Sequence, residues 1–232
     1  SYRATPGAWP WIIHAAEGLD DEAAGEFDRL EALGCLRPNT LLVHGIALDT
    51  EQRARLEHAG AGLIWCPSSN LHLFGKTADV RELAARGLVG LGTDSRLSGA
   101  RDLLEELRLA GEIGGFDDRS LELLVTRHNA RLLRLPDRGE LRVGARADIL
   151  VLPAGMRLAA ANRSDVRLVL VGGAVRYGDK DCAQRATRHT GWTEIRVDGK
   201  AKILDGDIAR RLSLARTGEP GLEVSSAAGR AA

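Results

Sequence analysis

The stretch Trp11-Ile12-Ile13-His14-Ala15-Ala16-Glu17 joins a bulky apolar run to an imidazole and a carboxylate. Three later stretches repeat the pattern: Leu41-Leu42-Val43-His44-Gly45, Leu63-Ile64-Trp65-Cys66-Pro67-Ser68-Ser69-Asn70 and Val89-Gly90-Leu91-Gly92-Thr93-Asp94-Ser95. Short apolar runs that end at Gly, Pro or polar residues are typical of buried β-strands. A helix-like segment follows each run. Since (β/α) barrels carry their chemical groups at the carboxyl ends of their strands, the pattern predicts an α/β fold with four such units.

The composition excludes several classes of partner. The 32 basic and 32 acidic residues give a formal net charge of zero, which predicts no binding to nucleic acid or to an anionic membrane. No apolar run approaches the roughly 18 residues of a membrane-spanning helix, and we see no signal-peptide pattern. The three widely spaced cysteines do not look like a disulfide framework. These features predict a cytoplasmic protein.

Residues 1–137 have the β/α texture and are predicted to form a partial barrel domain. In this part we expect Thr77 to cap a helix over 78–86 and a further helix to span 118–133. From Gly139 onward, short β signals alternate with Gly-rich turns, so residues 138–217 are predicted to form a small β-sandwich and C-terminal segment. Residues 218–232 are small and polar, and we expect a flexible tail.

Four side chains are candidates for metal binding or proton transfer. His14 and Glu17 lie three residues apart at the end of the first strand, His44 ends the second, and Asp94 follows the fourth. Imidazole nitrogens and carboxylate oxygens bind Zn²⁺ or Fe²⁺, and a nearby carboxylate can move a proton. Each residue alone is more often structural: a buried hydrogen-bonded histidine, a solvated glutamate or a helix cap. Their recurrence in successive units favours a shared site.

The third and fourth strands lead into polar segments. Ser69, Asn70 and Ser95 are predicted to contact substrate, because polar loops at the carboxyl ends of strands commonly do so. No base adjoins Cys66, so a buried apolar role is preferred to a nucleophilic one.

Taken together, the motifs His-Ala-Ala-Glu, Leu-Val-His-Gly, Cys-Pro-Ser-Ser-Asn-Leu and Leu-Gly-Thr-Asp-Ser resemble the amidohydrolase superfamily. The resemblance is to the branch that holds cytosine, guanine and adenosine-type deaminases and the triazine hydrolases. The segment from Gly139 to Asp148 resembles that group's signature leading from the barrel into a small β-sandwich. The resemblance covers about residues 10–180.

The resemblance implies that the chain supplies strands five to eight of a (β/α)₈ TIM barrel. It implies that His14 binds the metal and that Glu17 hands a proton to the substrate. His44 would contact the metal, the water or the polarised group of the substrate, and Asp94 would bind the metal and deprotonate the attacking water. One divalent metal ion, Zn or Fe, is the implied cofactor, and Asp148 would be structural.

Two features depart from the family pattern. Its members supply two more metal ligands as His-x-His on strand one, and the 232 residues contain no His-x-His. A complete barrel takes about 250 residues, so strands one to four have no counterpart here. We expect the C-terminal part of a longer protein; the missing half could also lie on another chain, or a truncated product could fold alone or as a homo-oligomer. The metal is then expected to be held weakly.

The predicted function is metal-dependent hydrolysis of a C–N bond in a heterocyclic or amide-type small molecule, by deamination or a dechlorination-like displacement. The fragment alone is expected to be inactive. The alternative is a non-catalytic half-barrel that acts as a scaffold or binds a complementary chain. A doubly wound nucleotide-binding domain ranks lower, because no Gly-x-Gly-x-x-Gly follows any strand.

Overall fold

The computed structural model describes residues 2–215 and 218–224, and it divides into two compact units, Ser1–Ala145 and Arg146–Ala232. The boundary predicted from the sequence lies between residues 137 and 138, whereas residues 138–145 fall in the first unit.

The first unit alternates strands with helices. Its strands are β1 (Trp11–Ala15), β2 (Thr40–His44), β3 (Gly62–Trp65) and β4 (Val89–Leu91). Its helices are α1 (Asp21–Ala32), α2 (Thr50–His58), α3 (Pro67–Phe74), α4 (Arg81–Ala85), α5 (Leu103–Gly114), α6 (Asp118–Val125) and α7 (Arg127–Leu132).

The four strands form a parallel sheet in the order β1-β2-β3-β4, so each strand pairs with its neighbour in sequence. Parallel neighbours need a crossover, and at least one helix lies between each pair of strands. Leu42 and Leu63 are fully buried in register with Ile13, whereas Ile12 and His14 at the alternate positions of β1 are exposed. One face of the sheet is therefore packed, and the other is partly open along β1.

Aspartates cap the helices that follow β1, β2 and β4. The Asp20 side chain accepts the Ala23 N–H at the start of α1. Asp49 and Gln52 form a reciprocal capping box on α2, and Asp102 caps α5. Such caps satisfy the free N–H groups of a first turn and contribute about 0.5–2 kcal/mol each. They set where these three strand-to-helix connections end.

Residues 67–74 form helix α3, whereas the sequence analysis predicted a polar loop here. Pro67 lies in the first turn, where its fixed φ suits a helix and its missing N–H is not needed. Gly75 ends the helix in the left-handed conformation, with φ 65°. Ser69 and Asn70 consequently lie on a rigid element at the carboxyl end of β3.

Two other helix predictions differ from the structure. Thr77 does not cap a helix, because α4 begins at Arg81 after Val80, and its hydroxyl is instead bonded to Trp65 and Asn70. The predicted helix over 118–133 is divided into α6 and α7 at Thr126, where φ is −118° and ψ is −95°. The Thr126 hydroxyl donates to the carbonyl of Glu122, a local bond that competes with helix continuation.

The second unit is built on an antiparallel sheet. Its strands are β5 (Ile149–Val151), β6 (Leu168–Val171), β7 (Ala174–Gly178), β8 (Trp192–Val197), β9 (Lys200–Asp205) and β10 (Leu222–Val224). Its helices are α8 (Lys180–Ala186) and α9 (Gly206–Ala215). The strand order is β10-β8-β9-β7-β6-β5, and every pair is antiparallel.

Successive residues of β9 serve two separate cores. Ile203 packs with Ala183 of α8, and Leu204 packs with Ala209 of α9. Since adjacent residues of a strand point to opposite faces, each face of the sheet has its own helix. Among the described residues this unit thus forms one sheet with helices on both faces, where the sequence analysis predicted part of a small β-sandwich.

The C-terminal segment is partly ordered by pairing. Leu222–Val224 forms β10 against β8, and Arg163 binds Asp198 and Glu219. This differs from the flexible tail predicted for 218–232; residues 225–232 of that prediction lie outside the described residues. Within the described part of the chain, no helix has the length and apolar composition to cross a membrane.

Candidate metal centre

Three potential metal ligands meet at the carboxyl ends of the parallel strands. They are His14 on β1, His44 at the end of β2 and Asp94 after β4, and one ligand atom of each lies within 4.8 Å of the others. The centroids of the two imidazole rings are 5.3 Å apart. His44 is buried, whereas His14 and Asp94 are exposed, so the cluster is open on one side. These are the three residues that the sequence analysis named as metal ligands; metal binding by them stays a prediction.

The backbone is left-handed at the end of each contributing strand. Ala16 has φ 54°, His44 has φ 77° and Asp94 has φ 54°. A non-glycine residue held in this region costs on the order of 1–3 kcal/mol and persists only where the surroundings enforce it. Such strain is concentrated at functional sites, and here it turns the chain immediately beside the three ligand candidates.

Hydrogen bonds from outside the strand hold the strained turn after β1. The Ala16 N–H donates to Glu26 Oε2 of α1 at 2.7 Å, and the Ala16 carbonyl accepts the Ala47 N–H at 3.0 Å. The Gly45 N–H donates to the Ala15 carbonyl at 3.2 Å. The ends of β1 and β2 are thereby fixed to each other.

His44 contacts a different group through each ring nitrogen. Its Nδ1 lies 2.8 Å from Oδ1 of the fully buried Asn70, and its Nε2 lies 3.4 Å from Glu17 Oε1. The ring is therefore fixed by a buried amide on one side and directs its other nitrogen toward the catalytic candidate Glu17.

Asp94 is held by two hydroxyl groups. Ser69 Oγ donates to Asp94 Oδ2, and Ser98 Oγ donates to the same oxygen at 3.2 Å. Desolvation acts to raise the pKa of Asp94, but the hydrogen bonds from Ser69 and from the Ser95 backbone, with the nearby His44, outweigh it and lower that pKa. Asp94 is consequently a carboxylate at neutral pH, the form that binds a cation or accepts a proton.

Ser69 and Asn70 occupy places that differ from the predicted one. Both are completely buried on α3, where their polar atoms hold Asp94 and His44. They therefore hold the side chains of the two candidate catalytic residues by hydrogen bonds, and neither residue is exposed to solvent. The third predicted substrate contact, Ser95, is exposed, and its Oγ accepts the Leu97 N–H at 3.2 Å.

A buried carboxylate secures α3 in turn. Glu106 of α5 is completely buried, and its Oε1 accepts the Ser68 N–H in the first turn of α3 at 2.8 Å. A carboxylate here also interacts favourably with the positive end of the helix dipole. Burial raises the pKa of Glu106 above its ordinary value, and the hydrogen bond from Ser68 opposes part of that rise.

Cys66 has the inert character predicted for it. It is 1% exposed, and its burial, followed by the charges of Asp94 and Glu106, raises the pKa of its thiol to about 12. The reactive thiolate is therefore negligible at neutral pH.

The residues present fit a divalent metal ion. Zinc bonds to nitrogen and oxygen are about 2.0–2.2 Å long, so two ligands of a tetrahedral ion lie roughly 3.5 Å apart, closer than the 4.8 Å limit of this cluster. Two imidazoles and a carboxylate are also a donor set that zinc and iron commonly take. Small shifts would bring His14, His44 and Asp94 to one cation.

A second cluster does not fit a metal. Asp179, Asp181 and Cys182 also have ligand atoms within 4.8 Å of one another. However, Arg167 binds both aspartates, and the buried Lys202 ammonium donates to Asp179 at 2.6 Å. The negative charge of this cluster is already compensated by protein cations.

Three members of the site were not predicted from the sequence: Thr77, Ser98 and Glu106. Glu106 had a readable signal, since it occupies the same helical stripe as Leu103, Leu107 and Ala110, where a charged residue is out of place. Thr77 and Ser98 lie in connecting segments and offered no comparable pattern.

Comparison with known proteins supports a common ancestry for this arrangement. The sequence profile of the Amidohydrolase family matches residues 10–176. An 8-oxoguanine deaminase from Pseudomonas aeruginosa is 35% identical over 195 residues, covering 72% of this chain and 43% of the relative. A 5-methylthioadenosine/S-adenosylhomocysteine deaminase from Natronomonas pharaonis is 28% identical over 234 residues, covering 85% and 54%.

Solved structures give the same result for the fold. A zinc-bound adenosine deaminase from Xanthomonas campestris aligns with a TM-score of 0.65 at 24% identity, covering 72% of this chain and 45% of that one. A zinc complex of the atrazine chlorohydrolase from Arthrobacter aurescens aligns with a TM-score of 0.62 at 26% identity, covering 72% and 44%.

The chain spans about half the length of the curated relatives that it matches. The family profile matches most of this chain, and the matched residues include all three ligand candidates. The chain belongs to the amidohydrolase family.

Proposed function

We propose that this chain carries half of the active site of a metal-dependent hydrolase that removes an exocyclic amino group from a nitrogen heterocycle. The observation that carries the proposal is the convergence of His14, His44 and Asp94, with Glu17 beside His44. The deaminases among the relatives support an aminopurine-like substrate, because 8-oxoguanine and adenosine derivatives both carry an amino group on a purine ring.

In this proposal His14, His44 and Asp94 hold one divalent metal ion, either Zn²⁺ or Fe²⁺. A bound ion of this kind supplies Lewis acidity, which lowers the pKa of a water molecule toward neutrality. Asp94, a carboxylate at neutral pH, accepts a proton from the attacking water. The water oxygen adds to the ring carbon that bears the amine.

Glu17 delivers a proton to the ring nitrogen next to that carbon, since its carboxyl is part-exposed and lies 3.4 Å from His44 Nε2. His44, through the nitrogen that Asn70 does not engage, would offer a lone pair to the ion or to a proton of the attacking water. The C–N bond then breaks: the amine leaves as ammonia with the proton taken up by Asp94, the remaining hydroxyl proton passes to Glu17, and the ring carbon becomes a carbonyl. Ser95, exposed beside Asp94, is proposed as a substrate contact.

We further propose that the four-stranded sheet is the C-terminal half of a (β/α)₈ barrel. The unbroken order β1-β2-β3-β4 supports this, because a doubly wound sheet reverses its strand order at a switch point and a barrel does not. Strands β5 to β7, where the family match ends, would be this chain's share of the small β-sandwich.

An open cluster of this kind is expected to hold the ion weakly. A catalytic zinc ion usually has three protein ligands with a water, and here two of the three are exposed. The relatives' additional length would supply the His-x-His ligands. The isolated chain should therefore lose its metal on dialysis; a stoichiometric ion retained after exhaustive dialysis would contradict this part of the proposal.

The deciding experiment measures ammonia release from a panel of aminopurines, using protein expressed from the complete reading frame that contains this chain. Asp94→Asn and His14→Ala should each lower kcat/KM by several orders of magnitude, roughly the scale of losing a principal catalytic group. Rates near that of the unaltered protein, at full metal occupancy, would refute the assigned roles.

A non-catalytic scaffold is the second candidate, and the open face of β1 supports it. Ile12 is 49% exposed beside the exposed His14, and β1 lies at one edge of the parallel sheet in the described part of the chain. Such an edge favours pairing with another chain. Light scattering on the purified chain tests it: a defined dimer or complex without hydrolysis favours the scaffold, and a stable monomer argues against it.

A further inference from the structure

The Thr77 hydroxyl lies behind the candidate site, between α3 and α4, and contacts two buried side chains. Trp65 Nε1 donates to Thr77 Oγ1 at 2.7 Å, and Asn70 Nδ2 donates to the same oxygen at 3.1 Å. Trp65 is 1% exposed and Asn70 is completely buried. An indole N–H can only donate, so the Thr77 hydroxyl oxygen must be the acceptor in its contact with Trp65.

The direction of the Asn70 amide decides which nitrogen of His44 carries a proton. With its NH₂ toward Thr77, Asn70 presents its carbonyl oxygen to His44 Nδ1 at 2.8 Å. An amide oxygen accepts only, so Nδ1 must then be the protonated nitrogen of the neutral ring. His44 Nε2, which lies near Glu17 and among the ligand atoms of the cluster, keeps its lone pair.

We propose that Thr77 is a positioning residue that, by accepting N–H groups from Trp65 and Asn70, holds His44 in the Nδ1–H tautomer. The role in catalysis rests on the proposed function, because a lone pair on Nε2 is what metal binding or proton acceptance at this site requires. The tautomer itself can be observed without metal, substrate or turnover. Partners of this kind behind a ligating histidine commonly fix its tautomer and ring orientation.

The test compares Thr77→Val, which replaces the hydroxyl with a methyl group of similar size, with Thr77→Ser, which keeps the hydroxyl. Each full-length chain is labelled with ¹⁵N-histidine and studied by long-range ¹H–¹⁵N NMR at about pH 8.5, where an ordinary imidazole is neutral. The His44 signals are assigned with His44→Gln.

We expect a protonated Nδ1 and an unprotonated Nε2 in the unaltered chain and in Thr77→Ser. In Thr77→Val we expect a mixture of tautomers or the reversed form. Thermal melting followed by circular dichroism confirms that each variant is folded.

Two outcomes would overturn the inference: a protonated Nε2 in the unaltered chain, or an unchanged Nδ1–H tautomer in folded Thr77→Val. The first outcome would overturn the inference even if Thr77→Val does not fold, and Thr77→Ala, which also lacks the hydroxyl, then takes the place of Thr77→Val. If the tautomer follows Thr77 but the protein from the complete reading frame neither binds metal nor releases ammonia, the proposed function fails and the positioning role stands.

Discussion

His44 Nδ1 and Asn70 Oδ1 lie 2.8 Å apart in a contact that water does not reach, since the two residues are 1% and 0% exposed. One comes from the end of β2 and the other from helix α3, 26 positions later in the chain. The contact therefore links the candidate metal centre to the packing of the first unit.

Asn70→Ala should destabilise the first unit. It leaves the buried Nδ1 of His44 without a partner, and an unsatisfied buried polar group costs about 1–3 kcal/mol. Urea denaturation measures the free energy of unfolding. His72→Ala, an exposed position on the same helix, is the control and should change stability by less than about 0.5 kcal/mol. Equal losses of unfolding free energy in both variants would contradict a stabilising role for the Asn70 contact.

Zinc binding should depend on the first cluster and not on the second. Equilibrium titration with Zn²⁺ should show that His14→Ala and Asp94→Asn each weaken binding by at least roughly tenfold, the lower end of what even supporting residues contribute. Asp181→Asn is the matched control, because its cluster is compensated by Arg167 and should not bind the ion. If only Asp181→Asn weakened zinc binding, the metal site would lie in the second unit instead.

Glu106 should make the first unit less stable as the pH rises. The pKa of Glu106 is raised above 4.5 in the folded chain, so the folded state holds this proton more tightly than the unfolded state. Stability is then lost as the pH climbs from about 4.5 through the folded pKa, because the unfolded state binds fewer protons.

Glu106→Gln cannot titrate, and its stability relative to the unaltered chain should therefore improve between about pH 4 and pH 7. Unfolding free energies measured across that range provide the comparison. Glu112→Gln, an exposed position on the same helix, should show the same pH dependence of the unfolding free energy as the unaltered chain. A difference for Glu106→Gln that does not vary with pH would mean that the carboxyl has no raised pKa.

Gly45→Ala should destabilise the chain beside the candidate site. Gly45 has φ 62°, and a Cβ there would lie 2.7 Å from Leu63 Cδ1. The strained backbone alone costs on the order of 1–3 kcal/mol, and the clash adds to it. Gly7→Ala is the control, since nothing lies within 4 Å of its added Cβ. Thermal unfolding that is equally affected in both variants would contradict the steric argument.

Much of the first unit could be predicted from short patterns in the sequence. Apolar runs that end at Gly, Pro or polar residues identified β1 to β4, and the helix-like segments predicted after these runs are present in the structure. The features that were not predicted have weak or ambiguous sequence signals, such as the break at Thr126 and the helix that begins at Pro67.

The sequence by itself determined the order of strands and helices, and the position of His14, His44 and Asp94 at strand ends, because these depend on short-range patterns of side chains. Only the tertiary structure decided that Ser69 binds Asp94, that Asn70 binds His44 and that Glu106 anchors α3. Those partners are 25 to 38 positions apart in the chain, and their pairing depends on how separate elements pack. A buried polar atom is satisfied by whatever group the fold brings beside it, and no local pattern encodes that neighbour.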